Sequence, residues 1–429
     1  MQARSLILGA LMLFAWAVPV PVRAQADPAQ PDPGPARLTL QQALQAAYAN
    51  NPELRAVGRG VGIADGLRLQ AGALPNPELG LSTEGTDRRS RVETVEITHT
   101  IELGGKRGAR IAAAEQERQL AQEALDTRRA ELRADVMAAY LAALTVQERV
   151  ALTQSAIEVA ARATGAATRR VAAGKISPVE QTRSSVAEAA VRLELAQARV
   201  ESAQALRTLA LLMGSAATID AALVRPELLF GAIPTEAELA QRLASAPRLR
   251  QAQAQVGRQD ALVRVERSRR APDLRVNLGS QRDRERGGGG QAVFGVSVPL
   301  PLFDRNGGNL AASLQRLEQA RDELAAERLR LHGALLDARQ RAELAQLQLD
   351  SLRREIVPAA QGAYDAAVTG FELGKFGFLD VLDTQRALIG ARTQYLRALQ
   401  ERYQAATDLE RIAPAQDAGS TAIFKEHLQ

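Results

Sequence analysis

Two short stretches of the chain alternate apolar and polar residues strictly. In Glu93 to Leu103, Val95, Ile97, Ile101 and Leu103 fall on one face, and Thr94, Glu96, Thr98, Thr100 and Glu102 on the other. In Phe294 to Leu302, Phe294, Val296, Val298, Leu300 and Leu302 share a face opposite Gly295 and Ser297. A period of two marks a strand whose two faces meet different surroundings. Weaker alternation in Glu78–Thr83 (Leu79, Leu81) and Asp273–Gln281 (Leu274, Val276, Leu278) gives each stretch a partner. Two hairpins are predicted, at about 76–103 and 272–302, with polar loops over Glu84–Arg91 and Arg282–Gln291. Strands of about 9–11 residues have the length that crosses an outer membrane, and a half-buried soluble sheet would show the same alternation.

Beyond each hairpin the period changes to that of a coiled coil. From Gly308 to about Leu373, one heptad series is Leu310, Leu317, Leu324, Leu331, Ala338, Ala345 and Leu352; a second is Leu335, Ala342, Leu349 and Ile356. From Gly108 to about Ala172, Leu125, Leu132, Ala139 and Val146 run beside Val136, Ala143, Val150 and Ile157. Each stretch predicts a helix of roughly 65 residues and about 100 Å. Pro358 should bend the second helix unless local unwinding absorbs it. Both end at a glycine-centred turn, Ala173–Pro178 and Leu373–Gly377, followed by a shorter helix, Pro178 to Met213 or Phe378 to Ile412. Gly as the stop and Pro178 as a first-turn residue make each pair an antiparallel helical hairpin. A helix of medium length precedes each strand hairpin, Thr39 to about Ala71 and Thr235 to about Arg270.

This order occurs twice. Leu38–Met213 aligns with Thr235–Ile412: Pro52 with Pro247, Pro77 with Pro272, Gly174-Lys175 with Gly374-Lys375, Val179 with Leu379 and Glu180 with Asp380. One unit is duplicated, with a first repeat over 38–233, a second over 234–412 and a tail over 413–429. The period is far too long for a solenoid of small units. Ahead of the repeats, Gln2–Arg4 is short and positive, Leu6–Val20 is apolar, and Val22-Arg23-Ala24 offers small residues to a signal peptidase. Residues 1–24 therefore read as a secretory signal peptide and 25–37 as a flexible Pro-rich lead-in. No later helix is apolar enough to span a membrane, so any crossing falls to the strands.

Composition narrows the chemistry. The 429 residues include no cysteine, which excludes disulfides, Cys-based metal centres, a cysteine nucleophile and a lipidated N-terminal cysteine. His99, His332 and His427 are dispersed without ligand spacing. The net charge of +5 comes from Arg and Glu interspersed along helical stretches, which is a solvated face and no nucleic-acid patch. No catalytic constellation and no cofactor motif is present, and enzymatic activity is not expected. Two hairpins give four strands per chain, too few for a barrel, since bacterial barrels start at eight. A dimer would supply eight strands and a trimer twelve, and the larger number leaves an open lumen.

The duplicated plan, with "LGGKR" (Leu103–Arg107) leaving the first hairpin and "PLPLFDRNGG" (Pro299–Gly308) leaving the second, resembles the TolC-type outer membrane efflux family. Those junctions and "GKFGFLDVLDTQRAL" from Gly374 look most like its cobalt–zinc–cadmium branch. The resemblance implies a mainly α fold with a small β part: a homotrimer forming a twelve-stranded outer-membrane β-barrel over a twelve-helix periplasmic α-barrel. Its implied partners are outer-membrane lipid, a periplasmic membrane fusion adaptor and an inner-membrane transporter of the resistance–nodulation–division (RND) type. The implied function is the exit duct of that tripartite pump, exporting divalent heavy-metal cations. A conduit for organic compounds or secreted protein, and a periplasmic coiled-coil adaptor, remain alternatives.

Asp380 and Asp383 lie three apart and so share a helix face. In the family, matching acids point into the periplasmic aperture, where three copies would make two carboxylate rings. Glu180 is the equivalent acid of the first unit. From spacing alone, acids at a helix start favour the helix dipole equally well. The family's Tyr and Arg near the second turn lock the aperture through polar links; here Phe371 and Phe376 stand at those places and cannot make those bonds, which leaves closure by packing or by the carboxylate rings as alternatives. The turns are candidate adaptor contacts: Gly174, Lys175, Ile176 and Ser177, with Gly374, Lys375, Phe376 and Gly377. An exposed Ile176 and Phe376 would call for something to cover them, unless they pack back within the hairpin.

Overall fold

A computed structural model describes residues 37–85, 90–226, 233–284, 289–373 and 375–414. The leader, Gly374 and most of the tail lie outside the described residues. The chain opens with β1 (Arg37–Leu38), α1 (Leu40–Asn50), α2 (Pro52–Ala71), β2 (Glu78–Glu84), β3 (Val92–Ile101), α3 (Lys106–Ala172) and α4 (Pro178–Leu212). It continues with β4 (Ala222–Leu223), α5 (Glu236–Ala244), α6 (Pro247–Ser268), β5 (Leu274–Asp283), β6 (Gly290–Ser297), α7 (Gly307–Ser351), α8 (Val357–Glu372) and α9 (Phe378–Ile412).

The medium helices are not single. Each breaks just before a proline, at Asn51-Pro52 and Ala246-Pro247, because a residue preceding proline is pushed out of the helical region. Asn51 has φ −65° and ψ 120°, and its side chain accepts the Leu54 N–H as the N-cap of α2. Thr39 and Thr235 cap α1 and α5 with reciprocal Thr–Gln42 and Thr–Glu238 bonds. A second departure is the short parallel pair of β1 with β4, which no periodicity announces. Buried Tyr140 of α3 staples it, donating its hydroxyl toward Leu38 O at 2.7 Å and Val224 O at 2.6 Å. Burial pushes that phenol up to about 12.

The hairpins join into one antiparallel sheet of order β2-β3-β5-β6. The register sets Leu79, Ile97, Leu278 and Phe294 in one row, and the row across β3, β5 and β6 is His99, Val276 and Val296. The opposite face carries Glu96, whose carboxylate accepts an N–H of Asn277 at 3.0 Å. Gly279 makes room for it, since a Cβ there would lie 2.8 Å from the Glu96 Cβ. The expected strand through Leu302 ends at Ser297 instead. Pro299 and Pro301 have no N–H to offer a ladder, so the apolar alternation continues over 298–302 without pairing.

Helix α3 is an unbroken 67 residues. It packs on α4 in one half and on α2 and α6 in the other, with α9 alongside. Its heptad leucines and alanines make the main core with α1, including Leu132, Val136, Met137 and Leu144. A second core joins α5 to α7 and α9 through Leu239, Leu243, Leu335 and Leu409. Pro358 does not break the second long helix: a π turn, Leu352–Ile356, precedes it, and the Val357 N–H reaches back to Leu352 O. The extra residue also moves Ile356 off the heptad seam. It is 42% exposed, against the expectation that it would close the second series.

Candidate conduit tips and sheet

At the first tip, Gly174 takes φ +67°, a left-handed turn residue, and the Lys175 N–H bonds to Arg170 O at 2.9 Å. Ser177 caps α4 by accepting the Val179 N–H, and Glu180 sits in the first turn. Ile176 is half-buried, whereas Lys175 is exposed.

At the second tip, the N–H groups of Lys175's counterpart, Lys375, and of Phe376 both reach Gly370 O. The Phe376 ring lies over Gly370 so closely that a Cβ there would meet ring carbon at 2.1 Å. Half of Phe376 stays exposed. Phe371 faces Arg170 of the other hairpin: the guanidinium sits 3.8 Å from the ring centroid, and its Nη2 donates to Phe371 O at 3.5 Å. A cation–π contact therefore ties the ends of α3 and α8, where the family pattern would have polar links. Arg170 was not singled out from the sequence, because an arginine in a last helical turn ordinarily reads as a dipole partner.

The two acids of α9 do different things. Asp380 accepts the Gly377 N–H at 2.8 Å and so caps its own helix. Asp383 is 76% exposed at its side chain, with Arg386 at 4.0 Å. It lines a groove of about 520 Å³ between the starts of α4 and α9, together with Arg183, Arg386, Leu382 and Val186. Sequence reasoning missed both arginines. The signal was available, since Arg183 occupies the position in the first unit that Asp383 holds in the second.

The sheet carries the other half of the candidate site. Its apolar row is exposed in the single chain: Leu79 67%, Ile97 54%, Leu278 63% and Phe294 69%. Strands β2 and β6 are its open edges. Among the described residues, no helix is long and apolar enough to cross a membrane, and no group of three His, Asp or Glu could hold a metal ion.

The model of the family described as outer membrane efflux protein matches residues 43–215 and 239–413. The chain is 42% identical to the cobalt-zinc-cadmium resistance protein CzcC of Cupriavidus metallidurans, over 87% of this chain and 90% of that protein. It is 30% identical to the nickel-cobalt-cadmium resistance protein NccC of Alcaligenes xylosoxydans xylosoxydans, over 68% and 67% of the two chains. A crystal structure of CusC superposes with a TM-score of 0.76 at 18% identity, covering 87% of this chain and 91% of that one. The open-state MtrE outer membrane channel of Neisseria gonorrhoeae gives 0.71 at 18% identity, over 87% and 88%. A sheet with two open edges and an uncovered apolar face, set on paired coiled-coil hairpins, and a match spanning both halves lead to one conclusion: the chain belongs to the outer membrane efflux protein family.

Proposed function

We propose that this protein is the outer-membrane exit duct of a tripartite RND-type pump for divalent heavy-metal cations. The carrying observation is the sheet, whose four strands end in open edges and whose apolar face is bare in one chain. Three copies, edge to edge, close twelve strands into a barrel with that face toward lipid and the Glu96 face toward the lumen. The helices support the same assembly. Val179, Val186, Leu193 and Val200 form a heptad stripe on α4 that is 57–65% exposed, a coiled-coil seam awaiting a neighbouring copy. The duplicated unit then supplies two helical hairpins per chain to a periplasmic tube.

The tips around Lys175 and Phe376 meet a periplasmic adaptor, and an inner-membrane transporter supplies the energy. Cations are the cargo because the resistance proteins named above are relatives over most of the chain. At the periplasmic aperture Asp383 supplies the exposed carboxylate, while Asp380 is tied to its helix start and Glu180 sits in the first turn of α4. Because Arg183 and Arg386 border the same groove, the ring of acids is partly balanced by base.

The test is conductance of the purified protein in a planar bilayer. Discrete channels are expected, with a cation preference that falls in Asp383→Asn and rises in Arg183→Gln. An absence of channels in protein that also needs no detergent would overturn the duct. Channels indifferent to both substitutions would remove the aperture assignment alone. A strain lacking the gene should lose cobalt, zinc or cadmium tolerance, and tolerance retained alongside impaired export of an organic compound would reassign the cargo.

A further inference from the structure

The junction between sheet and helices carries more positive charge than its own carboxylates neutralise. Three ends meet there. Leu103 N–H bonds to the Asp273 carboxylate at 3.2 Å, linking the ends of β3 and β5. Gly104 is packed so tightly that an added Cβ would sit 2.4 Å from the Ala271 Cβ. Asn306, at the start of α7, donates to Glu266 O at 2.9 Å near the end of α6.

The acids of this junction are all engaged. Asp273 pairs with Lys106 at 2.6 Å, Glu102 with Arg110, and Glu266 with Arg269 at 2.7 Å. Asp304 accepts the Asn306 N–H at 2.8 Å. That leaves exposed Arg107, Arg267, Arg270 and Arg305, none of which pairs with a carboxylate among the described residues. Two of them are aimed by the backbone. Arg107 Nε donates to Gly72 O at 2.7 Å, and Arg305 Nε donates to Pro301 O at 3.2 Å. Each bond anchors the guanidinium by its inner nitrogen and leaves the outer pair of nitrogens free.

Apolar side chains stand at the same level. Past the last rung of β6, Leu300 is 74% exposed, Leu302 65% and Phe303 100%. They continue the apolar stripe of the sheet beyond its paired length; Arg305 follows Phe303 by two residues, and the Asn306 bond to Glu266 brings the end of α6, with Arg267 and Arg270, to the same junction. Apolar groups beside free guanidiniums match the boundary between acyl chains and phosphate groups. A guanidinium fork suits a phosphate, a long stem can lie along apolar surface, and a fully exposed Phe303 ring beside them suits the acyl side of that boundary.

We propose that this junction binds the phosphate groups of inner-leaflet phospholipids, preferring anionic headgroups, with Arg107, Arg267, Arg270 and Arg305 as the headgroup contacts and Phe303 among the acyl chains. This rests on the outer-membrane reading above. The belt fixes how deep the chain sits in the bilayer, at the point where strands hand over to helices.

The test uses the full-length protein extracted from membranes. Phospholipid retained through detergent exchange is measured by native mass spectrometry for wild type and for Arg267→Gln/Arg270→Gln, with the Lys pair at the same positions as a charge-preserving control. Thermal shifts are read with short-chain phosphatidylglycerol, with phosphatidylethanolamine of the same chain length, and with inorganic phosphate. Retention should fall on the order of tenfold in the Gln pair and return in part with Lys. Phosphatidylglycerol should stabilise wild type more than phosphatidylethanolamine. Equal retention in the Gln pair would overturn the belt, as would inorganic phosphate alone giving the full shift. Should the Gln pair fail to accumulate, Phe303→Ser decides the matter by the same retention measurement, with unchanged retention overturning the belt. Wild type found outside the membrane fraction would sink the outer-membrane reading itself, an outcome distinct from membrane-inserted variants that keep their lipid.

Discussion

Replacing Phe371 by leucine removes an aromatic face and keeps an apolar side chain in its place. In the folded chain that face lies 3.8 Å from the Arg170 guanidinium carbon, and the contact joins the ends of α3 and α8. Cation–π contacts contribute about 0.5–1 kcal/mol when exposed and about 2 kcal/mol when desolvated. Both partners here are half-buried, so about 1 kcal/mol per chain is expected. In the trimer proposed above, with the tips of all three chains moving together, the total would be about 3 kcal/mol, roughly a hundredfold in the ratio of open to closed apertures. Single-channel recording in a planar bilayer reads that ratio directly. Phe371→Leu should lengthen open dwell times, Arg170→Gln should do the same, and the double variant should add little to either. An unchanged ratio in Phe371→Leu would refute the reasoning. So would fully additive effects, which would show that the two side chains act separately.

Tyr140→Phe should lower stability by about 1–3 kcal/mol, because Val224 O loses its buried donor; denaturant titration in detergent measures it. The phenols of Tyr140 and Tyr403 are both pushed up to about 12 by burial. Their raised values mean a contribution that is complete below the ordinary tyrosine value and lost as pH rises toward 12, so wild type should weaken on alkaline titration above about pH 10 and Tyr140→Phe less so. Gly104→Ala should impair folding more than Gly105→Ala. Both glycines have positive φ, but only at Gly104 would the new Cβ collide with a neighbour, and the yield of membrane-inserted protein reports the difference. Glu238 is held below the usual carboxylate range by the Thr235 N–H, so its contribution is present above that range and lost as pH falls. Thr235→Ala should cost about 1 kcal/mol at neutral pH, seen as a lower melting temperature.

Much of this fold is written in short-range periodicity, and that part was legible. The seams through Leu132, Leu331 and Leu335 need only spacing to be seen, and both glycine-centred tips are local chemistry. Spacing alone was a poor guide where backbone geometry overrode it. Pro52 and Pro247 served to align the two halves, yet the helices were expected to run through them. Ile356 fits a heptad on paper, but the π turn ahead of Pro358 rotates it away from the seam. At the tips, Asp383 was singled out by its three-residue spacing from Asp380 and by the resemblance of the segment from Gly374, and the structure adds that its side chain is exposed. Arg170 was not, since it gains meaning only from Phe371, some two hundred residues away; Arg183 was missed although the repeat alignment places it opposite Asp383. The pairing of β1 with β4 is of the same kind, two residues each and far apart in the chain.

The π turn at Leu352–Ile356 has a consequence for chain length. Elsewhere along α3 or α7, gaining or losing one residue would rotate every later side chain by about 100° and unseat the seam. A π turn holds one residue more than an α turn at the same place. Deleting one residue there would restore ordinary helix while leaving Leu331–Leu349 above and Ala367 below on the faces they already bury. Among the described residues of the two long helices, this is the place where homologues can differ in length by a single residue without rebuilding the coiled coil on either side.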